Sequence, residues 1–285
     1  VGNNGTRPAR WRSWLRPFVP PVAAALVGRL RGRPDAIRFV GDFPSWDAAR
    51  RASTGYDDGA ILARVRESAL KVRSGQAAFE RDGVAFDRPD FNFPLLACLL
   101  RVATESGNRL RVFDFGGSLG STYHQCRPFL SGVGEVCWTV VEQPAFVECG
   151  RREFEDGRLQ FRDSLDAVSG PVDAILLSSV LQYLAEPFAV LDRLTATGAQ
   201  WLIVDRALLI QTDRDALTVQ HVPESIYGAP VSYPAWLLSR SRLLTRLGSD
   251  WELVCEARGF DGPFPRPGGE VSGSLWLFRT RRAAT

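Results

Sequence analysis

Lysine is almost absent from this chain: among 285 residues Lys71 is the only one, and positive charge comes almost wholly from arginine, a bias of genome composition rather than chemistry. Histidine is nearly as scarce, with His124 and His221 the two candidates for any step that needs an imidazole. The five cysteines, at 98, 126, 137, 149 and 255, include no C-x-x-C pair. An odd, scattered set argues against a disulfide framework and against a zinc site, so reduced cytoplasmic thiols and no bound metal are expected. No run of about 18–20 uncharged apolar residues occurs, so no transmembrane helix is expected. The apolar stretch FVPPVAAALVG is short, holds Pro20 and Pro21 and lacks a clear cleavage site, which argues against a secretory signal. Internal repeats and low-complexity segments are missing too. What remains, 45% hydrophobic and 24% charged residues, is the composition of an ordinary soluble globular protein with one large domain or a domain plus an appendage.

Charge is unevenly placed. Arg7, Arg10, Arg12, Arg16, Arg29, Arg31 and Arg33 precede the first acidic residue, in a chain whose net charge is only +3. Residues 1–36 therefore read as a basic arm, made amphipathic by Trp11, Trp14, Leu15 and Phe18. The plain reading is a disordered or partner-packed extension. The sharper one is a peripheral contact with an anionic membrane surface. Nucleic acid is not expected as a partner, because the basic surplus stops with the arm.

From there the chain reads as a folded domain. Residues 43–75 predict two helices, the first capped by Ser45, the second by Asp57 or Asp58 and closed by Gly75; FPLLACLLRVATESG predicts a third. Strands and helices then alternate: LRVFDF, EVCWTVVE, LQFRDS, VDAILLSS and QWLIVDRALLI as strands, with PAFVECGRREFE and EPFAVLDRLTATG as helices between them. YPAWLLSRSRLLTRLG predicts a late helix, and WELVCEARGF and SGSLWLFRTRR an antiparallel pair at one edge. Such alternation predicts an α/β fold with a mostly parallel sheet covered by helices on both faces.

In such a sheet ligands bind beyond the carboxyl ends of the strands, where FDFGGSLGSTYHQ places a glycine turn. The turn lacks the G-x-x-x-x-G-K-[ST] pattern of a phosphate cradle. It also misses the G-x-G-x-x-G dinucleotide fingerprint, since Gly116 and Gly117 are adjacent and Gly120 follows. Its spacing is D-x-G-x-S-x-G, with Asp114 ahead of the turn and Ser118 inside it. A carboxylate there repels a pyrophosphate but accepts a hydrogen bond from an ammonium, directly or through water. Glu142, at the end of the next strand, is placed for both ribose hydroxyls of a nucleoside. Asp163 and Ser164 follow the third strand and suit an adenine amine, and Ser178 and Ser179 end the fourth. Together these residues describe a site for an adenosine with an amino-acid tail, S-adenosylmethionine.

The stretches FDFGGSLGSTYHQ, VVEQPAFVECG, LLSSVLQYL, LIVDR and LTVQHVPESIYGAPVSYPAW resemble class I S-adenosylmethionine-dependent methyltransferases. More narrowly, with SWDAARRASTGYDD and AFERDGVAF, they resemble a bacterial methyltransferase family often associated with surface-polysaccharide gene clusters. The resemblance runs from about residue 40 to the C-terminus; Ser118 in place of a middle glycine, with the extra Gly117, is the family's own variant. It implies a Rossmann-like seven-stranded sheet over 108–285, a helical cap over 37–107, and a lid insertion over 207–233 after the fifth strand. It also implies that Gln143 joins the cofactor set and that Tyr183 touches both cofactor and acceptor.

Acceptor-side candidates follow. His221, in the insertion, is the expected general base; Asp205 is expected to orient it as a dyad, or to form a structural ion pair with Arg206. Arg206 or Gln220 would bind substrate hydroxyls or an acid group, with Tyr227 and Tyr233 bordering the pocket. The function implied is S-adenosylmethionine-dependent methylation of a carbohydrate, a glycoconjugate precursor or another small molecule, at oxygen or in a natural-product variant at nitrogen. A non-catalytic nucleoside-binding or scaffolding member of a biosynthetic complex is the alternative, and a nicotinamide oxidoreductase fails on the glycine spacing.

Overall fold

The computed structural model describes residues 36–282 except 56–57, 168–169, 225–229, 260 and 267–268, and leaves out the side chains of 58 and 60. The basic arm, bar its last residue, together with Tyr56, Asp57 and Tyr227, lies outside the described residues. All that follows concerns the unit Ile37–Thr285.

In chain order the unit begins with β1 (Arg38–Val40), α1 (Trp46–Arg51), α2 (Asp58–Arg73), the hairpin β2 (Phe79–Arg81) and β3 (Val84–Phe86), and α3 (Phe93–Glu105). Next come β4 (Arg109–Phe115), α4 (Ser121–Cys126), β5 (Glu135–Val141), α5 (Pro144–Glu153), β6 (Leu159–Arg162), β7 (Ala174–Ser178), α6 (Pro187–Thr195) and β8 (Trp201–Ile210). β9 (Ala216–Val222), β10 (Val231–Ser239), α7 (Arg240–Leu247), β11 (Trp251–Arg258), β12 (Phe264–Arg266) and β13 (Gly269–Thr280) complete it.

The expected mostly parallel sheet is present in the order β6–β5–β4–β7–β8–β13–β11. Its first five strands are parallel; β13 runs antiparallel to β8, and β11, antiparallel to β13, closes one edge. Successive strand residues face opposite sides, which splits the core into two layers. Val112, Leu176, Ile203 and Leu277 pack with α3 and α5 on one face; Phe113, Ile175, Leu202 and Phe278 pack with α6 and α7 on the other. The helices supply matching stripes. α3 buries Leu95, Leu96, Leu99, Val102 and Ala103, and begins where the Asn92 side chain accepts from the Leu95 N–H. Among the described residues no helix is long and apolar enough to cross a membrane.

The insertion after the fifth strand is built as sheet. β7 pairs with β8 only as far as Asp205, and β10 takes up the same edge at Leu209 and Ile210. β9 and β1 follow beyond β10, and with β12 they extend the sheet to eleven strands among the described residues. These added strands stand beyond the carboxyl ends of the parallel ones, where a ligand would bind.

One predicted helix is half strand. Tyr233–Ser239 belongs to β10, and the helix starts only at Arg240, capped by Ser239 Oγ accepting from Arg242 N. Tyr233–Ala235 and Leu237–Ser239 are buried, so both faces of the strand are covered and the alternation that marks a strand is lost.

Candidate active site

The chain leaves β4 for β5 and β6 on one side and returns to β7 on the other, so the sheet's switch point lies above the end of β4. The glycine turn fills that point. Gly116 and Gly120 hold left-handed backbone at φ +73° and +83°, and Ser118 joins them at +55°. A Cβ at Gly116 would stand 2.5 Å from Val180 Cγ2, and one at Gly117 2.5 Å from Asp114 Oδ2. The turn therefore lies directly on Asp114. That carboxylate is 1% exposed and accepts a 2.9 Å hydrogen bond from Trp138 Nε1. Burial pushes its pKa up to about 7 against that bond, and the charges of Glu142 and Asp205 add to the rise.

Two connected spaces open above the strand ends. A cleft of about 1480 Å³ has Gly116, Ser118, Glu142, Gln143, Asp163, Ser164 and Ser178 in its wall. A recess of about 80 Å³ beside it is walled by Asp114, Gly117 and Asp205, and shares Gly116, Ser118, Ser178 and Arg206 with the cleft. The strand ends thus bring the expected cofactor residues together. Gly120 lines neither space: its missing Cβ leaves room for Leu159. Glu142 sits at the tip of β5 and accepts from the Gln143 N–H at 2.7 Å, with Gln143 opening α5.

β8 delivers the next group through an irregularity. Opposite β13 it carries one residue more than its partner between Val204 and Ala207, and Arg206 takes φ +56°. Such a bulge re-aims side chains. Asp205, 1% exposed, accepts from Ser178 Oγ at 2.7 Å and from Asn92 Nδ2 at 3.2 and 3.3 Å. Burial raises its pKa; the Ser178 bond, Arg206 and Asn92 oppose the rise. Arg206 turns the other way, its Nε donating to Asp261 and its Nη atoms to Asp82. Burial works to lower its pKa, but the two carboxylates carry it well above the ordinary value.

The opposite wall comes from the added strands. Tyr183 Oη donates to Gln220 Oε1 at 3.0 Å, and its ring meets that of Tyr233 edge-on with centroids 5.4 Å apart. Phe39, Trp46 and Phe264 continue this wall.

His221 does not belong to it. Gln220 and Val222 line the cleft on either side of His221 in strand β9, so its side chain points to the other face of the sheet. There it lies opposite Arg38, and burial and that charge lower its pKa. The expected Asp205–His221 dyad is therefore not formed: Asp205 is held by Ser178 and Asn92. Nor do Asp205 and Arg206 form the expected pair, since Arg206 is bridged to Asp82 and Asp261.

Asn92, Asp82, Asp261, Arg81 and Trp138 are site residues that sequence reasoning missed. For Asp82 a signal existed: Asp82-Gly83 between two short runs marks a hairpin turn, and both residues are left-handed here. For the others, contacts between distant segments decide.

No protein-family model and no curated protein matches the chain. Among solved structures, an N-methyltransferase from Bradyrhizobium japonicum in complex with S-adenosyl-L-homocysteine is similar at 15% identity and TM-score 0.45, over 79% of this chain and 100% of the other. An N1-methyltransferase of 1,6-didemethyltoxoflavin from Burkholderia thailandensis matches at 15% identity and TM-score 0.43, over 87% and 96%. An S-adenosylmethionine-bound amino pentose methyltransferase from Micromonospora echinaspora matches at 14% and 0.43, over 66% and 91%. In fold the chain is similar to S-adenosylmethionine-dependent methyltransferases; likeness at this level carries no substrate and no residue's role across.

Proposed function

We propose that the cleft binds S-adenosylmethionine and that the protein methylates a small-molecule acceptor, a carbohydrate or glycoconjugate precursor before others. The observation that carries the reading is the series of polar groups at successive strand ends, Asp114 under the turn, Glu142, then Asp163 and Ser164, all opening on connected spaces. The donor set fits this cofactor. The turn from Asp114 to Thr122 holds no lysine or arginine to meet a pyrophosphate, while its carboxylate suits an ammonium. In this reading Glu142 takes the ribose hydroxyls, and Asp163 and Ser164, which line the same cleft, meet the base.

When bound, S-adenosylmethionine supplies an electrophilic methyl group on a sulfonium. The chain's own contribution is mainly positioning. Tyr183, Gln220 and Tyr233 form a wall for a hydroxylated ring, and Arg206 faces the same space. For a hydroxyl acceptor the proton goes to Asp205, through the Ser178 hydroxyl that already donates to Asp205 Oδ2. The preference for a sugar rests on the resemblance to the polysaccharide-associated family and on the aromatic wall; methylation at nitrogen uses the same site. Outward-facing His221 is the one observation favouring the other reading, a nucleoside-binding subunit without catalysis. Replacing Glu142 tests the cofactor: Glu142→Ala should weaken S-adenosylhomocysteine binding with the fold intact, and unchanged affinity would remove the cofactor from this cleft.

A further inference from the structure

We propose that Asp82 and Asp261 are specificity-determining residues: by sharing Arg206 between them they fit the acceptor subsite to an uncharged, hydroxyl-bearing group and turn away an anionic one. This rests on the reading of the cleft as a methyl-transfer site.

An arginine in a cleft wall ordinarily receives phosphate or carboxylate through its planar fork of N–H groups. In this cleft the fork is taken. Nε donates to Asp261, Nη2 to Asp82 Oδ2, and Nη1 to Asp82 Oδ1 at 3.3 Å. Of five guanidinium N–H groups three are engaged, which leaves two to donate and no unbalanced positive charge behind them. One cation between two carboxylates is a net negative cluster, so an incoming anion meets repulsion. A hydroxyl meets complementary partners, accepting from the remaining N–H groups and donating to a carboxylate oxygen. Arg81 does not reverse this balance, since its Nη2 lies 3.4 Å from Asp90 and its Nη1 3.9 Å from Asp261.

The arrangement is held firmly. The Arg206 side chain is 14% exposed and aimed by the β8 bulge, while Asp82 stands at the tip of the β2–β3 hairpin at φ +51°. Two left-handed residues without a glycine's freedom meet in one ion pair, a placement that ordinary surface pairing does not require. The hairpin is fixed in turn to the helix after the glycine turn: Ser121 Oγ donates to Glu80 Oε2 at 2.5 Å, and Gln125 Nε2 to the Glu80 carbonyl at 2.7 Å. The Asp82 side chain is 48% exposed; desolvation by the surrounding protein would raise its pKa, but Arg206 holds it below the usual value. Across the cleft, Tyr183, Tyr233 and Gln220 offer ring faces and an amide, the complementary half of a site for a hydroxylated ring.

The test uses the whole chain with 15N-labelled arginine, titrated with inorganic phosphate while the Arg206 Nε signal is followed. The wild type should show no saturable shift at millimolar phosphate. Asp82→Asn should admit phosphate at Arg206, with affinity raised about tenfold, and Asp82→Asn with Asp261→Asn should raise it further. Asparagine tolerates the left-handed backbone at 82, so the single variant serves even where the double one does not fold. Wild-type protein that binds phosphate at Arg206 as tightly as the variants would overturn the proposal. So would folded variants that gain nothing. S-adenosylhomocysteine affinity, measured separately on the same samples, judges the cofactor reading independently.

Discussion

The two halves of the cleft are made in different ways. The half proposed for the cofactor comes from the tips of neighbouring parallel strands: chain order and spatial order coincide from Asp114 through Glu142 to Asp163, and Ser178 returns on the other side of β4. The half proposed for the acceptor is gathered from distant segments: Phe39, Gln220 and Tyr233 come from β1, β9 and β10, which extend the sheet, while Arg206 on β8 meets Asp82 of the β2–β3 hairpin and Asp261 after β11. Local geometry fixes the first half; long-range pairing fixes the second. Substitutions in the first should act on cofactor affinity and those in the second on turnover and selectivity, which gives the comparison ways to fail.

The largest effect belongs to the turn. Gly116→Val forces a β-branched residue into left-handed backbone and sets its Cβ 2.5 Å from Val180. Strain and overpacking together should lower S-adenosylhomocysteine affinity by about 100-fold or more, read by titration calorimetry. Wild-type affinity would mean that the turn does not shape the site. Glu142→Ala comes next. Loss of hydrogen bonds to a charged group should cost about 10–100-fold in the same measurement, while melting stays near wild type.

Asn92→Ala crosses from one half to the other. It removes both the donor to Asp205 and the cap of α3, so stability should fall by about 1 kcal/mol in denaturant unfolding. Turnover should fall while cofactor affinity holds; equal losses in both would merge the two halves into one unit.

A smaller effect is visible in pH. The folded chain keeps the Asp114 proton up to about pH 7, whereas the unfolded chain loses it near the ordinary 3.8. Between those values the folded state binds more protons, so this contribution is full below the unfolded pKa and is lost as pH rises through about 7. His124 works oppositely: burial pushes it down to about 4 from 6.5, so over that interval its contribution grows with pH. Comparing wild type with Asp114→Asn cancels His124. The variant should gain stability relative to wild type as pH rises from about 5 to 8 in thermal melts; parallel profiles would contradict the buried, proton-holding carboxyl. The smallest effect expected is that of His221→Ala, which should leave turnover within about twofold because the imidazole faces away from the cleft. A large loss would return it to the mechanism.

The same contrast explains what the sequence reveals. Apolar runs bounded by turns mark β4, β5, β7 and β8, and polar groups at the ends of these runs line the cleft and its recess. Spacing suffices there because a parallel strand sends its next residues to the same edge of the sheet. Nothing local shows that Gln220 faces the cleft and His221 does not, since a one-residue change of register exchanges them and the register is set by β1 and β10. Nor does a local pattern place Arg206 between Asp82 and Asp261, because the bulge that aims it appears only opposite β13. The strand in Tyr233–Ser239 is hidden for a related reason: burial on both faces removes its alternation.

The most direct test of the central claim is titration calorimetry of the intact protein with S-adenosylmethionine, S-adenosylhomocysteine and NAD. Saturable binding of both sulfur nucleosides, with NAD silent, is the predicted result. Binding of NAD alone, or of none of the three, would contradict a nucleoside cofactor seated above the glycine turn.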